Sequence, residues 1–138
     1  MELHLHMQSH HFARRAPDWR AAAIAGLIAG TLYVVLELLT ARFVLYQGAW
    51  GTVKMVAAIM LAREALASAD AFSWTIVLAA GVVHFALSVV LATILAMIIA
   101  SFRFDSSIGM ATMVGALFGL LAYLVNFYVL GRYFNWFD

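Results

Sequence analysis

The stretch that decides the fold is residues 72–102, FSWTIVLAAGVVHFALSVVLATILAMIIASF. It contains no Asp, Glu, Lys or Arg, and His84 is its only ionisable side chain. The run exceeds the roughly 20 apolar residues needed to cross about 30 Å of hydrocarbon. Because lipid offers no hydrogen bonds to the backbone, a crossing segment must be helical here. The stretch therefore predicts a transmembrane helix.

Two further apolar runs predict two more transmembrane helices. Ala21–Tyr46 carries Glu37 inside the run and Arg42 near its end, where a long side chain can reach the interface. Ile108–Leu130 carries no charged residue. The composition of the whole chain agrees, since 66% of residues are hydrophobic and 11% charged, against about 45–50% and about 25% in soluble domains. We therefore predict an all-α integral membrane protein.

The domain organisation follows from the same pattern. A length of 138 residues allows one domain, and we place a single transmembrane domain at residues 21–138. Residues 1–20 are polar and are predicted to form a flexible tail rich in histidine. Neutral imidazoles bind transition metals, but a tail of this kind lacks the surrounding groups that fix them. No metal site is predicted there. The tail histidines are His4, His6, His10 and His11.

Gly51–Ser68 decides how often the chain crosses the membrane. Its uninterrupted apolar part, Met55–Ala62, is too short to span a bilayer, and Lys54, Arg63 and Glu64 bracket it. We predict a short amphipathic helix, interfacial or re-entrant, beside three transmembrane helices. A four-span bundle is the alternative. Three spans place four Lys or Arg on each side and leave the orientation open, whereas four spans place five inside and three outside.

Small residues recur at every fourth position in the first and third predicted spans, and the two stripes are 89 positions apart. They are Ala22, Gly26 and Gly30, and then Ala111, Gly115 and Gly119. The second span has a small face of its own, which includes Gly81 and Ser88. Because small residues let helix backbones approach closely in lipid, these faces are predicted to be packing surfaces.

Three polar residues form the candidate site inside the bilayer: Glu37, His84 and Asn126. The offset that relates the two stripes also carries Glu37 to Asn126. With a rise of 1.5 Å per residue, each lies about 8–15 Å below one interface. A carboxylate that faces lipid is costly, so we expect all three to point into the bundle, with Glu37 near His84. The cluster is either a proton-exchanging or ligand-binding site, or a set of interhelical hydrogen bonds.

The residue inventory contains no catalytic set, and we predict neither an enzyme nor a cofactor. The absence of cysteine removes thiolate chemistry. A di-iron site needs several carboxylates, and Glu37 is the only one within the predicted spans. Ser88 lies one turn from His84 on the same helix, an arrangement that does not form a serine nucleophile with an oxyanion hole. The net charge of +1 is too small for nucleic-acid binding.

The leading functional hypothesis is an accessory or assembly protein, or a self-associating bundle, surrounded by the lipid bilayer. Its glycine stripes favour a homo-oligomer or a larger membrane complex. The alternative is an oligomeric proton-coupled transporter or channel, in which Glu37 and His84 form the relay.

Four stretches resemble a group of small proteobacterial inner-membrane proteins, some of which carry the name sodium:proline symporter. The stretches are Ala25–Leu36, Trp50–Leu61, Val83–Ile94 and Gly115–Phe127. The resemblance implies a multi-pass protein of the bacterial inner membrane. It supplies no site residues.

Overall fold

The computed structural model describes residues 16–44, 46, 48–67, 71–102, 104, 107–130 and 132. Within these ranges the chain is almost entirely helical, and no strand occurs among them. The helices are α1 (Trp19–Phe43), α2 (Ala49–Leu61), α3 (Arg63–Ala67), α4 (Trp74–Phe102) and α5 (Ile108–Leu124), which continues into a π-helical turn (Val125–Leu130). The all-α prediction is confirmed for this part of the chain. The predicted tail falls mainly on residues 1–15, which lie outside the described residues.

Helices α1 and α4 are each long and apolar enough to cross a membrane. Large apolar side chains such as Leu32 and Leu78 remain exposed on them, with 61% and 64% of their surface accessible. This is compatible with a helical membrane protein. Helix α1 begins slightly before the predicted start because Asp18 caps it, accepting hydrogen bonds from the backbone N–H groups of Arg20 and Ala21 at 3.0 Å.

Hydroxyl groups on the outer faces of the helices bond to their own backbone. Thr31 donates to the Leu27 carbonyl at 2.8 Å, and Thr112 donates to the Ile108 carbonyl at 2.8 Å. Both side chains are exposed. Because each donor is satisfied within its own helix, neither hydroxyl requires water.

Helices α1 and α4 pack against each other in antiparallel directions. Gly26 of α1 faces Ala92, whereas Gly30, one turn later, faces Ser88, which is one turn earlier on α4. Together with Ala22, these glycines are the buried positions along most of α1. The first small-residue stripe thus forms the surface on which the two long helices meet.

The connection between α1 and α4 is a helical hairpin that packs beside α4. It turns at Ala62, whose φ of 51° and ψ of −144° end α2 before α3 begins. The packing core consists of Ala57, Ala58 and Ala65 against Ile76, Ala79 and Ala80 of α4. The short links to Val44 and to Trp74 place both ends of the hairpin where α1 ends and α4 begins. Lys54, expected to flank the apolar part of this segment, is instead buried in α2.

Helix α5 is only loosely attached, so the second stripe is little covered by the described residues. No residue of α5 is buried, and the nearest side chain to the position of a Cβ on Gly115 is Leu95, at 4.0 Å. Ala111 is half-buried, while Gly119 is exposed with nothing within 4 Å. The physical reason is competition, because α1 already covers the small face of α4 around Ser88. Within the described residues, the second stripe is therefore packed much less closely than the first.

Candidate functional site

A cavity of about 220 Å³ lies between α1, α2 and α4. Three of the side chains that line it are polar: Glu37 from α1, Thr52 from α2 and His84 from α4. The remaining walls are apolar, with Val56 and Phe85 among them. An acid and an imidazole thus share one largely apolar enclosure, to which three helices contribute.

His84 is held in place by the backbone and side chains of α1. Its Nε2–H donates to the Gly30 carbonyl at 2.8 Å. Because a carbonyl only accepts, this bond places a proton on Nε2 and leaves Nδ1 as the atom that can gain one. The Tyr33 ring stacks on the imidazole with centroids 5.9 Å apart, and Phe85 meets it edge-on at 5.3 Å. These contacts fix the orientation of the imidazole ring.

Glycine at position 30 makes this arrangement possible. A Cβ there would lie 2.6 Å from the Ser88 Oγ and 2.9 Å from the Ser88 Cβ. Ser88 cannot easily move aside, because its hydroxyl donates to the His84 carbonyl at 2.8 Å. The small-residue stripe on α1 therefore also positions the imidazole of His84. The geometry of the site thus depends on the close packing of α1 on α4.

Glu37 lies seven residues after Gly30, about two helical turns along the same face of α1. It is half-buried and lines the cavity together with His84, close enough for the two to interact electrostatically. Within the described part of the chain, no hydrogen bond or ion pair engages the Glu37 carboxylate. The carboxylate is therefore available to a proton or to a cationic group.

Asn126 does not belong to this cavity, which reduces the predicted cluster of three residues to a pair. It is exposed in the π-helical turn and is absent from the cavity lining. The offset between the two stripes implied that α5 would dock as α1 does. Because α1 occupies the face of α4 around Ser88 and no described residue of α5 is buried, Asn126 is not brought to Glu37 within a single chain.

Two other predicted packing residues have different roles. Ser88 packs directly beneath Gly30, as its place on the small face suggested. Gly81 is not in close contact: it lines the cavity, and a Cβ built on it meets nothing within 4 Å. The missing side chain at this position leaves the cavity open, whereas the missing side chain at Gly30 brings two helices together.

The contribution of α2 and of Tyr33 was missed from the sequence. Thr52 and Val53 line the cavity, although their segment was expected to be interfacial or re-entrant and was assigned no site residue. Only the tertiary packing of α2 on α4 brings them there. Tyr33 did have a sequence signal, because it lies four residues before Glu37 and therefore on the same helix face.

The pair of Glu37 and His84 in an apolar enclosure suits proton exchange or the binding of a positively charged group. No group of three or more His, Cys, Asp or Glu that could hold a metal ion occurs among the described residues. Comparison of the chain with protein-family models, with curated proteins and with solved structures finds no match. The geometry of the cavity is thus the basis for assigning a function.

Proposed function

We propose that this chain is a multi-pass protein of the bacterial inner membrane that acts, as an oligomer, in proton-coupled transport. The observation that carries the proposal is the shared cavity of Glu37 and His84 between three helices. A pair that served only to join helices would be expected to bond directly. Here His84 bonds to the Gly30 backbone instead, and no described residue bonds to the Glu37 carboxylate.

In this proposal the proton moves between two acceptors. Glu37 in its carboxylate form and a neutral His84 give the cavity one negative charge. A proton taken up on a Glu37 carboxylate oxygen neutralises that charge, while a proton on Nδ1 of His84 creates an imidazolium that attracts the carboxylate. Proton flux into proteoliposomes, measured with a pH-sensitive dye for the wild type and for Glu37→Gln, tests the relay.

The proposed topology has three spans: α1, α4, and α5 together with the π-helical turn. The α2–α3 hairpin then enters the membrane beside α4 and returns to the same side. Two features support this reading. The antiparallel packing of α1 and α4 fits an even number of crossings between them, and α2 is too short to span alone. In the four-span alternative, α1 and α4 would run in the same direction.

Single cysteines at Gly48 and Ala67 are expected to react with a membrane-impermeant maleimide from the same side of the membrane. Both positions are exposed and flank the hairpin, and the chain has no cysteine of its own to give background labelling. Labelling right-side-out and inverted vesicles in parallel provides the measurement. Reaction of the two sites from opposite sides would show that the hairpin crosses and would refute the three-span topology.

A second candidate function, as an accessory or assembly partner, is favoured by α5. Its stripe of Ala111, Gly115 and Gly119 repeats the spacing of the stripe that packs in α1, yet no described residue of α5 is buried, and a Cβ on Gly119 meets no described atom within 4 Å. We propose that a second copy of this chain, or a partner in a larger membrane complex, covers it. The two candidate functions are compatible if association completes the transporter.

Gly119→Leu is expected to disrupt self-association while leaving the fold of the single chain intact. A leucine there separates helices that meet through α5, but a Cβ at this position meets none of the described atoms within 4 Å. Gly119→Ala is the matched control and should retain association, since alanine still allows close approach. Energy transfer between labelled copies in bicelles measures the effect. Equal transfer in all three proteins would show that the stripe faces lipid.

A further inference from the structure

We infer that the cavity between α1, α2 and α4 binds a small organic cation with an apolar body, such as a protonated or quaternary amine. The inference deepens the proposed function and rests on it, because it names the class of molecule that exchanges with the proton on Glu37. Its structural basis is one acid, to which no described residue bonds, in a small and largely apolar cavity.

The charge of the cavity favours a cation. Glu37 supplies the one carboxylate among the lining residues, and no described residue bonds to it. Lys54 is buried elsewhere in α2 and is not among the lining residues. Because an isolated carboxylate is costly at this depth, a cation that occupies the cavity relieves this penalty while the acid is ionised.

The donor set favours an organic cation over a metal ion. Hard cations such as Ca²⁺ take about six to eight oxygen ligands. The lining side chains offer the Glu37 carboxylate and the Thr52 hydroxyl, while Nε2 of His84 is engaged by Gly30. An organic cation needs one counter-charge and apolar contact for the rest of its surface.

The size of the cavity and the residues that line it narrow the class of ligand further. Its volume of about 220 Å³ lies below the roughly 300–1,000 Å³ typical of pockets for drug-sized ligands. Val53, Val56 and Phe85 offer apolar contact for the rest of the ligand. A compact alkylammonium group fits these walls.

Proton and cation would compete for the same carboxylate. The titratable groups around it are Glu37 itself, Tyr33 one turn earlier on α1, and His84 on α4, while α2 contributes no titratable side chain to the lining. Acidification neutralises Glu37, and the loss of this counter-charge opposes the binding of a cation. Affinity is therefore expected to fall as pH falls.

The test measures the affinity of the purified full chain in detergent for tetraethylammonium by titration calorimetry. The pH is about 8, where a free carboxyl is ionised. Glu37→Gln is expected to weaken binding by about 30-fold or more, since the counter-charge is lost. Gly81→Leu is expected to weaken it by filling the cavity, and the smaller Gly81→Ala serves if the leucine variant does not fold. Gly109→Leu, also in open space but outside the cavity, is the matched control.

Four outcomes would overturn the inference: unchanged affinity in Glu37→Gln, equal competition by sodium ions, equal competition by the uncharged analogue tetraethylmethane, or no binding to the wild type. Proton flux measured on the same preparation in proteoliposomes separates the two proposals. If flux depends on Glu37 but tetraethylammonium does not bind, the cation inference is wrong and the proposed relay stands. If neither is observed, both are wrong.

Discussion

Gly26→Ala is expected to lower the free energy of unfolding by about 1–3 kcal/mol, the range for an overpacked core position. A Cβ at Gly26 would lie 2.9 Å from the Ala92 Cβ, from the Ser88 carbonyl oxygen and from the Val89 Cα. Two of these atoms belong to the α4 backbone, so no side-chain rotation relieves the contact. The helices must separate, and dispersion contact along the whole stripe is then reduced.

Gly81→Ala is the matched control for this stability measurement. The substitution is the same and lies within a helix of the same pair, but the added Cβ meets nothing within 4 Å. We expect no loss, or a gain of up to about 1 kcal/mol from the better helix propensity of alanine. Reversible unfolding in mixed detergent and SDS, followed by circular dichroism, measures both variants. Equal stability of the two would contradict the packing of α1 on α4.

The positions of the long helices could be predicted from the sequence because they depend on local properties. The charge-free run that contains His84 was predicted to begin at Phe72, and α4 begins two residues later, at Trp74. The run from Ile108 to Leu130 coincides with α5 and its π-helical turn. Run length and backbone satisfaction decide where such helices lie, and neither requires knowledge of the neighbours.

The pairing of the helices could not be predicted in the same way. The two stripes look equivalent in sequence, but one packs within the chain and the other does not. Which stripe packs depends on which helix lies against the face of α4 that includes Ser88 and Ala92, and in the structure that helix is α1. Glu37 and Asn126, which the offset relates, accordingly lie in different surroundings: Glu37 lines the cavity, whereas Asn126 is exposed.

The segment that forms α2 shows the same distinction. Its short apolar part correctly indicated a short helix, and the bracketing charges Lys54, Arg63 and Glu64 predicted an interfacial or re-entrant position. The structure buries Lys54 and fully covers Ala57. These residues are buried because α4 presents alanines to the hairpin. The sequence pattern of the α2 segment alone contains no information about that partner.

Packing and chemistry are coupled at Gly30. The carbonyl of this residue accepts the His84 hydrogen bond, while its missing side chain admits Ser88. Any relay function therefore depends on the stripe as well as on the titratable pair. A variant of the stripe can disturb the site by moving His84, so a specific test of the relay must change the acid alone.

Glu37→Gln is such a test, and it is expected to reduce proton flux to the level of protein-free vesicles. Glutamine keeps the shape of the side chain and its capacity for hydrogen bonds, but its amide does not titrate and so cannot carry the proton. The carboxylate has no hydrogen-bond partner within the described residues, so its loss should leave the fold intact. Flux is measured with an internal pH-sensitive dye after an acid pulse to the outside of proteoliposomes.

Two further variants make the outcome decisive. Glu64→Gln removes an equivalent carboxylate that is exposed on α3, outside the cavity, and should leave the flux unchanged. Glu37→Leu removes both the charge and the polarity. If the pair only joins helices, Glu37→Gln should behave as the wild type while Glu37→Leu is impaired in folding or assembly. If the pair is a relay, both Glu37 variants lose proton flux, because neither side chain can take up and release a proton. The glutamine variant should then still have the stability of the wild type, since it keeps a polar group at this position.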